Sequence, residues 1–312
     1  MANNTINRTN NNTNIETWPP LPQSSCIPWL VVFITECLAI IIPNIITVNI
    51  FLKKRQLQRR SAILIIHLAI IDFLVGAVSG PLEIYRIGSV CKLWKYSRNY
   101  AATNSIANTF TLASLVNLAA ISLERVHATF CPFKHRFIEK WVYGVIMIVT
   151  WITSTIVALT RKFILGSNIK VRRIFEFSAF FVLLFIISVS YISIFIKIHF
   201  IRRPQHHSAA GVREKKLTST LLIVTLGSFL AWFPLVILQL FSIFSPQFYL
   251  NFPLCYRFHI GEITRVSYTA NSVLNPIIYA MRMPEVRQGL KQILFHKTSN
   301  RLNQIDLPVR NR

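Results

Sequence analysis

Charge is scarce in this chain, and acid is scarcer than base. Of 312 residues only 14% are charged, and 11 Asp and Glu stand beside 34 Lys and Arg. Soluble domains carry about 25% charged residues, so the deficit excludes an ordinary water-exposed domain and points to a membrane. The net charge of +23 would suit a nucleic-acid binder. Here, however, the basic residues lie in short clusters between long apolar runs, so no nucleic-acid partner is expected. A zinc hydrolase embedded in a membrane needs several His or acid ligands converging on one point. His67 is the only His deep in an apolar run and has no such company, so it reads as helix packing. No internal repeat is visible, which counts against a transporter built from duplicated halves. Residues 1–27 hold neither a positive leader nor an apolar stretch, so no cleavable signal peptide is expected.

What is present is apolar sequence in blocks. Seven segments, near 28–52, 61–85, 99–123, 141–163, 174–199, 217–244 and 259–281, are long enough to span a bilayer at about 20 residues each. The fold class that follows is an all-α membrane protein, a seven-transmembrane helix bundle. From Pro284 to Phe295, Val286, Leu290, Ile293 and Leu294 make an apolar face and Arg287 and Lys291 a basic one. That pattern predicts a short amphipathic eighth helix on the membrane surface. Glycosylation sequons at Asn3, Asn7 and Asn11 predict an extracellular N-terminus. With that orientation, the clusters Lys53 to Arg60, Arg125 to Lys140, Lys197 to Lys216 and the C-terminal stretch fall inside, as the positive-inside rule requires. The expected organisation is a glycosylated extracellular segment 1–27, a bundle 28–281, and an amphipathic helix with cytoplasmic tail 282–312, multi-pass in the plasma membrane.

The third segment organises the rest. Thr103, Asn104, Ala107, Asn108, Thr111, Ser114 and Asn117 recur every three or four residues and therefore share one helical face. Polar groups facing lipid are too costly, so this face looks into protein.

Six short motifs stand in order on these segments. They are Asn44 after Pro43, Leu68-Ala69-Ile70-Ile71-Asp72, Glu124-Arg125-Val126, Trp151, Ala231-Trp232-Phe233-Pro234, and Asn271 to Tyr279 with Asn275-Pro276 inside it. Together they resemble the rhodopsin-like (class A) G-protein-coupled receptors across 28–295. The chain departs from that family in three places. Tyr100 stands where a Cys usually opens the third helix, the loop 161–173 has no Cys, and Leu183 replaces a common Pro. These departures are similar to the melanocortin, adenosine, cannabinoid and lysophospholipid branch.

The resemblance implies roles residue by residue. Asp72, Ser114, Asn271 and Asn275 correspond to a sodium pocket, oxygen-rich as a hard cation requires. That allosteric ion would be the sole cofactor. Arg125 is implied to pair with Glu124, to reach toward Glu214 at the base of the sixth helix, and, once freed, to contact the G protein, with Tyr191 and Tyr279 assisting. Trp232, Pro234 and Pro276 correspond to the activation hinge. Ala107 sits where amine receptors carry Asp, and Thr269 where opsins carry Lys, which argues against a biogenic amine and against a retinal Schiff base. Pocket candidates are Glu83, Asn108, Thr111, Gln239, Glu262 and Arg265. Glu83 and Arg265 could equally form a structural ion pair.

Two further expectations concern the outer side. With the family's usual disulfide missing, Cys26 is expected to bond Cys255 and leave Cys91 free. Basic residues from Arg86 to Arg257 outnumber the outer acids, so the expected ligand is anionic or partly anionic. The function implied is that of a receptor passing extracellular ligand binding to a heterotrimeric G protein, and not that of an enzyme. The alternatives are a receptor-like chain that does not signal, or a seven-span enzyme or transporter.

Overall fold

A computed structural model describes residues 22–53, 62–94, 100–160, 169–197, 209–284 and 286–293, leaving out the side chains of 100–104, 169, 209–222, 224, 225, 249, 250 and 282. Seven long helices make up the described chain. They are α1 (Gln23–Lys53), α2 (Ala62–Val90), α3 (Tyr100–Phe130), α4 (Lys140–Leu159), α5 (Ile169–Ile196), α6 (Ala209–Phe244) and α7, itself made of Leu254–Thr269 and Asn271–Arg282. Six of them are long and apolar enough to cross a membrane. The exception, α7, is broken at Ala270 into pieces of 16 and 12 residues, and its Glu262 and Arg265 pair with Arg86 and Glu83 of α2.

The bundle is packed around α3, which touches α2, α4, α5 and α6. Its polar stripe lies where the periodicity places it, with Thr111, Ser114 and Asn117 all buried. Asn117 accepts no lipid contact because α2 answers it: its amide donates to Leu64 O at 3.1 Å, and its Oδ1 lies 2.9 Å from His67 Nδ1. His67 packs edge-on against Trp151 of α4. The opposite faces are apolar and exposed, as in Leu38, Ile42 and Ile45 of α1, Ile148 and Ile152 of α4, and Phe181 and Phe185 of α5. A bilayer supplies the solvent such faces need.

Three irregularities interrupt the helices. In α2 a π-helical turn spans Val75–Ser79 just ahead of Pro81. Pro234 sits inside α6 and removes a backbone donor. In that turn Ser267 of α7 donates to Ala231 O at 2.9 Å, tying the weakened stretch to its neighbour. The third is the break of α7 at Ala270, between Thr269 and Asn271.

The predicted amphipathic helix is helical over 286–293. It does more than lie on a surface, because Val286 and Leu290 join the main core cluster with Ile50 and Tyr279. Gly289 is required for this approach, since a Cβ there would stand 2.8 Å from Ile50 Cγ2.

The expected disulfide is corrected. Cys26 bonds Cys91, and Cys255 is free. Cys26 opens α1 and Cys91 follows the end of α2, and these helices pack side by side. Cys255 is indeed near, with its Sγ 3.7 Å from Ser25 Oγ. One residue along a helix turns the side chain by about 100°, so Ser25 faces α7 while Cys26 faces Cys91. The sequons at Asn3, Asn7 and Asn11 lie outside the described residues.

Candidate functional site

Three polar assemblies interrupt the apolar core. At mid-bundle is Asp72, fully buried on α2. Ser114 of α3 and Ser272 of α7 each donate to its Oδ1 at 2.8 Å, and Asn275 donates to its Oδ2 at 2.7 Å. Three hydrogen bonds to a carboxylate offset the large cost of removing it from water. Asn44 of α1 braces the same place by donating to Ser272 O at 3.0 Å. The side-chain oxygens of Asn44, Asn271 and Asn275 are buried with no hydrogen-bond partner among the described residues. Buried acceptors are rarely left so. A carboxylate, hydroxyls and spare amide oxygens form a donor set that fits a hard cation. Of the four residues expected here, Ser114 and Asn275 touch Asp72 directly. Ser272 was missed as a partner, although a hydroxyl one helical turn before Pro276 was a readable signal.

Near the end of the bundle that carries the disulfide, charges are strung in a line. Arg86 donates to Glu83 at 2.6 Å and to Glu262 at 2.5 Å, and Arg265 reaches Glu83 at 3.3 Å. Glu83, Arg86 and Glu262 are buried, whereas the Arg265 side chain keeps 30% of its surface. Two acids and two bases thus balance, and they join α2 to α7. Glu83 and Glu262, candidates for a ligand pocket, lie in this network, and Glu83 makes the ion pair with Arg265 that was the alternative for those two. Arg86, which bridges the two acids, was the residue sequence reasoning undervalued. A third acid, Glu36 of α1, stands beside Glu83 and accepts from the Thr269 hydroxyl at 2.7 Å.

Beneath that network a cavity of about 280 Å³ opens between α3, α4, α5, α6 and α7. Four of the six pocket candidates, Asn108, Thr111, Gln239 and Arg265, line it. So do Glu176, Thr264 and Tyr268, which carried no distinguishing spacing in the sequence. Its floor is Trp232, which stacks on Tyr268 at 5.4 Å and tilts against Phe180 at 5.0 Å. Trp232 Nε1 and Gln239 Oε1 are buried without partners among the described residues.

At the opposite end α3 closes with Glu124 and Arg125. Arg125 donates to Glu124 through Nε at 2.5 Å and Nη2 at 2.6 Å. His135, from the short helix Pro132–His135, lies 2.7 Å from Glu124 Oε1, and Tyr143 of α4 donates to the same oxygen at 3.5 Å. The expected reach toward Glu214 falls on a side chain outside the described residues. Tyr191 and Tyr279 lie in one buried cluster nearby. The Tyr279 hydroxyl has no partner among the described residues, and its ring meets Phe51 edge-on. Pro276 follows Asn275 inside α7, so the residue that holds Asp72 sits on a turn deprived of one backbone bond.

Comparison with known proteins agrees with this layout. Residues 43–279 match the model of the 7 transmembrane receptor (rhodopsin family). The chain is 25% identical to trace amine-associated receptor 7b of Mus musculus over 81% of this chain and 78% of the relative. It is 27% identical to the histamine H2 receptor of Rattus norvegicus over 89% and 84%. A crystal structure of squid rhodopsin superposes with a TM-score of 0.73 at 19% identity, covering 88% of this chain and 87% of that one, a likeness of fold. With its seven-helix bundle, buried Asp72 and Glu124-Arg125 pair in place, the chain belongs to the rhodopsin family of seven-transmembrane receptors and is a G-protein-coupled receptor.

Proposed function

We propose that the cavity above Trp232 is where the extracellular ligand binds, and that the ligand is anionic or partly anionic. The observation that carries this is Arg265, a cation lining the cavity on one side and loosely tied to Glu83 on the other. A ligand anion can compete for Arg265 while Glu83 keeps its closer partner Arg86. Such a switch gives the ligand differential affinity for two arrangements of α7, which is what shifting a receptor equilibrium requires. Movement at Trp232 and Tyr268 would pass along α6 and α7 through the turns at Pro234 and Pro276.

The same reading puts the N-terminus outside the plasma membrane and Arg125 at the G-protein face. There Arg125, held by Glu124, is proposed to meet Glu214 in the resting state. Asp72 with Ser114, Ser272 and the neighbouring Asn271 and Asn275 is proposed to hold sodium, which would supply positive charge to the buried carboxylate and favour the resting packing. No reaction step is proposed for the chain. Nucleotide exchange on a G protein in purified membranes tests the reading: an anionic agonist should lose potency in Arg265→Ala, and unchanged potency would remove Arg265 from the pocket.

A further inference from the structure

Among the described residues the cavity wall carries one base, Arg265 on α7, and one acid, Glu176 on α5. Both helices flank α6, which contributes Gln239 and Trp232 between them. Each charge is balanced from behind. Arg265 backs onto Glu83 at 3.3 Å, and Glu176 onto the more exposed Arg172 at 4.0 Å. The cavity therefore offers a cation and an anion at no net charge. A ligand bearing only an anion would be met by Glu176, and one bearing only a cation by Arg265. In a space poor in water, like charges in one small volume are strongly unfavourable. The volume, about 280 Å³, lies at the lower end for ligand pockets and suits a compact molecule rather than a lipid or peptide. Gln239 Oε1 and Trp232 Nε1, an acceptor and a donor without partners, offer one more hydrogen bond to each half of such a molecule.

We infer that the ligand is a small zwitterion of amino-acid type, its carboxylate at Arg265 and its ammonium at Glu176. This rests on the cavity being the ligand site and narrows a partly anionic ligand to one carrying both charges.

The test uses the purified full-length receptor in detergent and follows its thermal midpoint. The probes are the twenty protein α-amino acids and a series of ω-amino acids, each beside its decarboxylated amine and its N-acetyl acid. At least one amino acid is expected to stabilise the receptor, with its amine and N-acetyl partners needing about tenfold higher concentration. Glu176→Gln should weaken the amino acid by about tenfold and strengthen the N-acetyl acid, which no longer meets a like charge. Arg265→Lys, which keeps the charge and with it the balance with Glu83, should retain most of the effect, and Arg265→Gln should lose it. Three results would overturn the inference: stabilisation by an amine or acid alone equal to that by the amino acid, a silent Glu176→Gln, or no response to any amino acid. If N-acetyl acids bind as tightly as the amino acids and depend on Arg265, the anion site stands and the zwitterion falls. If no probe's effect changes in either variant, the cavity reading falls as well.

Discussion

The two charged clusters at opposite ends of the bundle are wired differently. Near the disulfide, Arg86 and Glu262 are 176 residues apart and Glu83 and Arg265 are 182 apart, so every link beyond Glu83–Arg86 crosses from α2 to α7. At the other end Glu124 and Arg125 are adjacent, and His135 is eleven residues on. The first cluster clamps two helices together. The second gathers around neighbours in sequence, Glu124 and Arg125 with His135 of the short helix Pro132–His135, and with Tyr143 of α4. In the proposed function the first is a frame beside the ligand and the second a charge to be released.

The frame gives the largest expected effect. Glu262 is 2% exposed, and Glu262→Ala would leave Arg86 buried with only part of its charge met. A loss of about 3–5 kcal/mol follows, read as a fall in the thermal midpoint of the purified receptor. Combining it with Arg86→Met should recover much of the loss, because both charges then leave together. A midpoint within error of wild type would mean the clamp carries no weight.

Next comes the disulfide. Cys91→Ser should cost about 2–4 kcal/mol, and Cys255→Ser almost nothing. Peptide mapping without reductant should recover Cys26 joined to Cys91. Finding Cys26 on Cys255 instead would refute the pairing.

Mid-bundle, between the two clusters, Asp72→Asn should abolish sodium's suppression of ligand-free nucleotide exchange while surface expression survives, since Ser114, Ser272 and Asn275 can still satisfy an amide. The measurement compares sodium with choline at equal ionic strength. A mutant still suppressed by sodium would place the ion elsewhere.

The smallest effect belongs to the releasable end, and there it is the sign that matters. Glu214→Ala should raise ligand-free signalling about three- to tenfold, the equivalent of about 1 kcal/mol for a partly hydrated pair. Arg125→Ala should silence coupling. Flat basal signalling in Glu214→Ala at matched expression would mean that Glu214 does not restrain Arg125.

Much of this was legible beforehand because local rules govern it. Apolar runs of spanning length fix the helices, since only a hydrogen-bonded helix or closed barrel survives in lipid. The three- and four-residue rhythm of α3 marked its buried face, and the order of short motifs marked Asp72 and Arg125. Pairings across helices were not legible in the same way. Cys26 was assigned the wrong partner because closeness in the bundle was read without rotation about the helix axis. The Glu83–Arg265 ion pair held open beside the pocket reading is present, but nothing in the spacing of residues 83, 86, 262 and 265 says that Arg86 will stand between Glu83 and Glu262. Glu176 drew no notice, because a single acid near a helix end has no periodicity to betray which way it faces.

By itself, then, the sequence determined that the chain crosses a membrane, which segments cross it, and which faces of them are polar, because each follows from the free energy of residues in lipid taken a few at a time. Only the tertiary structure decided which charges neutralise one another, which cysteine is spared, and that an acid and a base line one small cavity. Those outcomes depend on the rotation and depth of helices distant in sequence, and they are set by the packing of the whole bundle rather than by any stretch of it.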